Sequence, residues 1–344
     1  MRHGERRTLK MLMVGFNQVA DMEMVAKDFE PTDLPGGGRN LLRIETVTRL
    51  ADGQKIEGTV WTDGDGETLK SRSQAMGLET FRVTKAVALE KADTVELDLL
   101  ASMMVEVERP LPEAHRTKQV CYQVHLDSGD PAGVFAAGPS QTIESLDSRT
   151  AKITVHAIRP GWSDGNAKAP ADPLTDDDLR PNSFIQSEDP AIVADAKRAV
   201  GDETDPWRVA LLLERFVGRQ LKSKNFSQAF ATASEVARSR EGDCTEHAVY
   251  LAALARAQGI PARVAIGLVY MEGRQAFGYH MWTEVYVGKR WIPLDGTLAL
   301  GGIGAGHLKI AHSNLKGASA YSAFLPVTQI LGQLGIKIVK CEDR

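Results

Sequence analysis

One segment in the second half of the chain restricts the possible folds more than any other: an apolar helix followed at once by three short strands. From Cys244, small apolar side chains recur at helical spacing, and Gly259 with Pro261 predicts that this helix ends near Gln258. Strands are predicted at 263–270, 279–287 and 290–294. Helices followed by closely connected strands favour an α+β fold with an antiparallel sheet.

Cys244 is predicted in the first turn of this helix, with Asp243 as the N-cap. The positive end of a helix dipole and its unpaired amides stabilise a thiolate, and the same amides can donate to an oxyanion. Taken alone, however, Cys244 fits a structural role better, because free cysteine is among the most buried residue types.

The predicted hairpin downstream brings a histidine and an aspartate to one edge of the sheet. His280 lies at the start of one strand and Asp295 at the end of the next, joined by a turn at Gly288 and Lys289. Pairing through this turn sets residue 280 opposite roughly residue 297, so Asp295 is within reach of His280. A helix N-terminus packed against this edge would complete a nucleophile, a base and an orienting carboxylate.

Four separated motifs lie in residues 241–297. They are Gly242-Asp243-Cys244 followed by Ala248; Gly259-Ile260-Pro261-Ala262-Arg263 leading into Gly267; His280-Met281-Trp282-Thr283-Glu284-Val285; and Trp291-Ile292-Pro293-Leu294-Asp295 with Thr297. In order and spacing they resemble the core of the transglutaminase-like superfamily, more weakly upstream to about Asp189 and not over the first 180 residues. The resemblance implies a papain-like fold, with helices packed on an antiparallel sheet, and a catalytic triad of Cys244, His280 and Asp295.

The resemblance also implies cysteine-dependent acyl transfer through a thioester at Cys244. His280 would take the thiol proton and later protonate the leaving amine, while Asp295 would orient the imidazole. Peptide or amide hydrolysis, as in a protease, and glutamine transamidation share this intermediate, and the expected partner is a protein or peptide substrate. We favour hydrolysis, because no calcium site is recognisable and bacterial-type members with the GDC-x-E-H-A pattern look similar to peptidases. The alternative is a non-catalytic binding or scaffolding protein that retains the fold.

Further candidates carry weaker signals. Gln228 has suitable chemistry for substrate or oxyanion binding, and Trp282 is either a core aromatic of the hairpin or a residue that contacts substrate or shields the site. The glycine-rich stretch 301–306 lacks the strand-to-helix context of a phosphate loop and is predicted to be a flexible loop. No cofactor or metal site is expected, because the chain has no CxxC pair and the acidic cluster 176–178 lacks calcium-loop spacing.

The 344 residues are expected to form two or three domains. Residues 1–157 are predicted to be a β-rich accessory region of one or two β domains, 158–184 a linker rich in proline and aspartate, and 185–344 the transglutaminase-like catalytic domain with helices at 190–200 and 207–221. Strands of the first region are predicted at 41–50, 54–62, 78–87, 94–108, 119–126 and 151–157.

Charge and hydropathy restrict the possible partners. The formal net charge is −4 and no basic block is present, which argues against nucleic-acid binding. No apolar run is long enough to span a membrane. The basic and then briefly apolar N-terminus is too short for a signal peptide and lacks a cleavage site. The chain as written is expected to be soluble and cytoplasmic, although a start site downstream of a signal peptide would look the same; the sequence predicts no oligomeric state.

Overall fold

The computed structural model describes residues 1–13, 18–50, 55–73, 79–89, 104–161, 163–165, 172–222, 231–317, 327 and 330–341. It divides the chain into two compact units, Met1–Leu99 and Leu100–Arg344. This boundary lies upstream of the domain boundaries predicted at 157 and 184, and that division into domains stays a prediction.

The first unit is built on a six-stranded antiparallel sheet whose strands follow one another in chain order. Its strands are β1 (Arg6–Met13), β2 (Gln18–Thr32), β3 (Arg39–Arg49), β4 (Lys55–Thr62), β5 (Thr68–Ser73) and β6 (Glu79–Phe81). The strands predicted at 41–50 and 54–62 are confirmed as β3 and β4. The prediction at 78–87 is wrong beyond Phe81, because the alanine-rich segment Lys85–Leu89 forms a short helix, α1.

A four-stranded antiparallel sheet begins the second unit. It is formed by β8 (Gln119–Leu126), β9 (Gln141–Asp147), β10 (Thr150–His156) and the C-terminal β17 (Leu334–Cys341), in the order β17-β8-β10-β9. The predicted strands at 119–126 and 151–157 are therefore confirmed. A short helix, α2 (Pro131–Val134), connects β8 with β9. Of the strand predicted at 94–108, residues 94–103 lie outside the described residues, and Val105–Glu106 forms the short strand β7.

The predicted linker contains regular structure in its described parts. Ile158–Arg159 and Ser163–Asp164 pair as β11 and β12, and Asp176–Asp178 forms a turn of 3-10 helix. Helices follow as α3 (Pro190–Val200), α4 (Pro206–Gln220), α5 (Ala233–Ser239) and α6 (Cys244–Ala257). Both predicted upstream helices are confirmed, each opened by an aspartate N-cap and a proline.

Four strands after α6 form the main sheet, and β7 pairs with one of them. They are β13 (Ala262–Met271), β14 (Ala276–Val287), β15 (Arg290–Leu294) and β16 (His307–Ser313), ordered β15-β14-β13-β16 and all antiparallel. The predicted α+β architecture, with helices packed on an antiparallel sheet, is confirmed. Among the described residues, no helix combines the length and apolar character needed to cross a membrane.

Helix α6 is the centre of the helical layer. Its residues from Glu246 to Arg256 are all buried, and it packs on α3, α4 and α5 as well as on β13 and β14. The small side chains read from the sequence allow this close packing on several sides. Gln258 caps the helix, and Gly259 follows with φ of +73°, a left-handed conformation that favours glycine.

Gly267 allows β16 to reach the site. It pairs with His280 on one side and with Lys309 on the other, next to a β-bulge at residue 310 of β16. A Cβ at this position would collide with the Leu308 carbonyl oxygen. The main sheet can therefore accept β16, and the histidine at its first position, only because residue 267 has no side chain.

Candidate active site

The N-terminus of α6 leaves one backbone amide available beside the cysteine. The Asp243 carboxylate accepts from the Thr245 amide at 2.9 Å, and the Glu246 carboxylate accepts from the Asp243 amide at 3.0 Å, a reciprocal capping box. The Cys244 amide has no hydrogen-bond acceptor among the described residues. The predicted placement of Cys244 in the first helical turn is confirmed, and its side chain is partly exposed.

The hairpin register agrees with the sequence prediction. Thr283 pairs with Leu294 and Val287 with Arg290, so the same register sets residue 280 opposite residue 297. His280 Nε2 lies 2.8 Å from Asp295 Oδ2, and the Cys244 side chain lies close enough to the His280 ring to raise its pKa. The structure thus brings the three predicted residues into one row, in which His280 adjoins both Cys244 and Asp295.

Charge within this row is strongly polarised. Burial lowers the pKa of His280, but the adjacent Asp295 carboxylate and the contact with Cys244 outweigh burial and raise that pKa to about 10. Burial raises the pKa of Asp295, yet the two histidine rings beside it hold that pKa well below its usual range. An imidazolium beside a carboxylate is the state favoured for His280, as expected for a base that stabilises a neighbouring thiolate.

A second histidine, which the sequence reasoning missed, also contacts Asp295. His307 Nε2 lies 3.0 Å from the same Oδ2 atom. The remaining oxygen, Oδ1, accepts from the amides of Thr297 and Leu298 at 2.9 and 3.3 Å. His307 directly follows the glycine-rich stretch 301–306, which was expected to be a flexible loop. The stretch does form a loop, and its flexibility stays a prediction. Residues 302–306 of this loop are buried, and a Cβ at Gly304 would collide with the backbone of residue 115.

Glu214 on α4 is a further buried group that the sequence reasoning missed. Its carboxylate accepts from the amides of Asp295 at 3.2 Å, Gly301 at 2.8 Å and Gly302 at 3.4 Å. Burial raises the pKa of Glu214 to about 7 despite these amide donors. Its position in the apolar pattern of α4 was the available signal, because a carboxylate on a buried helix face needs partners.

The two weaker candidates have different outcomes. Trp282 is 1% exposed, and its ring stacks on the His280 ring with a centroid separation of 6.4 Å. The indole is therefore buried against the His280 ring. Its predicted role in substrate or oxyanion binding stays a prediction. Gln228 lies outside the described residues, so its proposed role also stays a prediction.

Among the described residues, one group has ligand atoms close enough together to bind a metal ion: His280, Asp295 and His307. Ligand atoms of His280, Asp295 and His307 lie within 4.8 Å of one another. Hydrogen bonds from the two rings to the shared carboxylate oxygen already explain this proximity. We therefore interpret the cluster as a carboxylate that accepts hydrogen bonds from two histidine rings.

The sequence profile of the transglutaminase-like superfamily matches residues 194–296. This span runs from α3 through the end of the hairpin and includes Cys244, His280 and Asp295. The chain carries a transglutaminase-like core. Among curated proteins, none matches this sequence.

Solved structures that resemble this chain do so at low sequence identity and low TM-score. A candidate cysteine protease from Cytophaga hutchinsonii is 18% identical, covers 65% of this chain and 86% of its own, and has a TM-score of 0.41. The periplasmic domain of TgpA from Pseudomonas aeruginosa, bound to ethylmercury, is 15% identical with coverages of 54% and 91% and a TM-score of 0.33. Similarities at this level carry no argument about activity.

Proposed function

We propose that this protein is a cysteine-dependent acyl-transfer enzyme that forms a thioester at Cys244 and most readily hydrolyses peptide or amide bonds. One observation carries the proposal: His280 Nε2 lies 2.8 Å from Asp295 Oδ2, and the Cys244 side chain is close enough to the same ring to help raise its pKa. This arrangement supplies a nucleophile, a base and an orienting carboxylate in sequence.

The bond changes follow from these positions. The Cys244 sulfur attacks the substrate carbonyl carbon, and the oxyanion that forms can accept a hydrogen bond from the Cys244 amide. The carbon–nitrogen bond then breaks, and His280 gives its proton to the departing nitrogen. Water attacks the resulting thioester, which releases the carboxylic acid and restores the thiol. Attack by a primary amine at the same step would instead give transamidation.

Product analysis tests the proposal directly. The full-length protein is incubated with a library of glutamine-containing peptides, with and without a primary amine, and the products are identified by mass spectrometry. We expect cleavage or deamidation with the wild type and with Cys121→Ala, and neither with Cys244→Ala. Predominant incorporation of the amine would identify a transamidase. The absence of all three products would favour the binding or scaffolding alternative.

Thiol labelling gives an independent test that needs no substrate. The rate of iodoacetamide alkylation is measured for each cysteine, with Cys121 and Cys341 as internal references. We expect Cys244 to react faster than an ordinary thiol at mildly acidic to neutral pH, and His280→Ala to remove the advantage. Equal rates in the wild type and His280→Ala would contradict a catalytic pair.

A further inference from the structure

His307 is a buried histidine whose ring nitrogen contacts the Asp295 carboxylate. Its side chain is 1% exposed and its Nε2 atom lies 3.0 Å from Asp295 Oδ2, the oxygen that also accepts from His280. Since Asp295 Oδ1 is held by two backbone amides, each oxygen of this carboxylate has two donors. These four contacts together prevent rotation of the carboxylate.

The surroundings of His307 determine its protonation state. Because Asp295 is an ionised acceptor, the proton lies on His307 Nε2, and Nδ1 has no hydrogen-bond partner among the described residues. Protonating Nδ1 would leave a buried N–H without an acceptor, which is strongly unfavourable. Burial accordingly lowers the pKa of His307 to about 4, even though Asp295 opposes that shift. The ring is therefore a neutral donor, and His280 keeps the cationic position beside the carboxylate.

Packing holds the His307 ring at this angle. Trp282 meets it edge-on with ring centroids 5.3 Å apart, and His115 does so at 5.5 Å. On the backbone, His307 pairs with Val269 across β13 and β16. The titratable groups that face it from the neighbouring elements are Asp295, His280 and His115.

We propose that His307 is a positioning residue, which holds the Asp295 carboxylate in the orientation that aligns His280 with Cys244. The inference rests on the proposed function, because it assigns His307 a role in the same site. His307 does not touch the reacting atoms. It acts by removing the freedom of Asp295 to rotate away from His280, so that the imidazolium and the thiolate remain paired.

The test compares His307→Phe, which keeps a ring but loses the donor, with His307→Gln, which restores an N–H. His312→Gln is the matched control, because it removes a histidine from the same strand without touching Asp295. The rate constant for alkylation of Cys244 by iodoacetamide is measured from mildly acidic to mildly alkaline pH. Circular dichroism spectra verify folding of each variant.

We expect His307→Phe to lower the rate constant at neutral pH by about 10- to 100-fold, the effect of losing a hydrogen bond to a charged group. The acid limb of the pH profile should lie at higher pH than in the wild type, because a rotated Asp295 no longer favours the His280 imidazolium. His307→Gln should recover most of the rate, and His312→Gln should follow the wild type. A folded His307→Phe protein with the wild-type profile would overturn the proposal.

Nitrogen NMR of the wild-type protein tests the same inference if His307→Phe does not fold. We expect a neutral His307 protonated at Nε2 and a doubly protonated His280 at neutral pH. A His307 protonated at Nδ1 would overturn the proposal. Failure of the proposed function is recognised separately: His280→Ala would then leave Cys244 labelling unchanged, whereas failure of the positioning role alone leaves the His280 effect intact.

Discussion

Two buried carboxylates near the main sheet are neutralised in different ways. Glu284 on β14 accepts from Lys309 Nζ at 2.7 and 2.8 Å and from Arg263 Nε at 2.7 Å. Burial raises the pKa of Glu284, but these two cations outweigh burial and lower that pKa to about 2. Asp295, which directly follows β15, instead accepts hydrogen bonds from two histidine rings, of which His280 carries the balancing charge.

The difference separates a fixed charge network from one that can exchange protons. The Arg263 guanidinium also binds Asp172 at 2.7 Å and lies 4.0 Å from the centroid of the Trp291 ring, and arginine side chains in general act as permanent charges. Histidine is the side chain suited to giving up a proton near neutral pH. The network at Glu284 therefore holds a fixed set of charges, whereas the network at Asp295 can exchange a proton, as the proposed catalysis requires.

The largest expected effect comes from Asp295→Asn. An asparagine amide has one acceptor atom, so its NH2 group would face either the two histidine rings or the two backbone amides that now donate to Oδ1, and it lacks the charge that favours the His280 imidazolium. We expect acylation to slow by about 10⁴-fold, as for loss of the orienting carboxylate in a comparable triad. Single-turnover thioester formation measures this rate, with the thermal unfolding midpoint as a control for folding. A wild-type rate in the folded variant would place Asp295 outside the chemistry.

The corresponding change at Glu284 should affect stability and leave the chemistry unchanged. Glu284→Gln leaves the buried Lys309 without a carboxylate and Arg263 with Asp172 as its remaining carboxylate, which we expect to destabilise the fold by about 3–5 kcal/mol. Denaturant unfolding measures this loss, and Cys244 alkylation is measured on the folded protein. The matched control is Asp164→Asn, which breaks the exposed ion pair with Arg290 and should cost less than about 1 kcal/mol. Slower alkylation in folded Glu284→Gln would show that the two networks are coupled.

The contrast also explains which parts of the molecule could be predicted from the sequence. The row of Cys244, His280 and Asp295 depends on a helix start and one hairpin, both determined by local turn and capping signals. His307 could not be found in this way, because it reaches Asp295 only after β16 pairs with β13 at a bulge. That pairing is non-local, and the glycine-rich stretch before it has the composition of a loop.

The N-terminal sheet shows a second limit of sequence reasoning. Strand β2 was not predicted, since the apolar side chains that it buries among the described residues are alanines, Ala20 and Ala26. Its larger side chains, such as Phe29, are exposed and interspersed with charged residues. A strand that buries so little apolar surface lacks the alternation that identifies a strand.

Glu214 extends the comparison to a buried carboxylate held by backbone amides. Because burial raises its pKa from 4.5 to about 7, the folded state binds this proton more tightly than the unfolded chain. Glu214 therefore stabilises the fold below pH 4.5, and this contribution is lost as pH rises to about 7, an effect of about 3 kcal/mol.

Glu214→Gln replaces the carboxyl group with an amide that does not titrate. At every pH, the NH2 group of this glutamine faces at least one of the backbone amides that donate to Glu214. Relative to the wild type, the variant should consequently gain free energy of unfolding as pH rises from 4.5 to about 7, with little further change above that range. Denaturant unfolding of both proteins across this pH range measures the difference between their free energies of unfolding. The contributions of the other titrating groups are the same in both proteins and cancel in this difference. A difference that does not vary with pH would mean that Glu214 is ionised throughout, held by its amide donors alone.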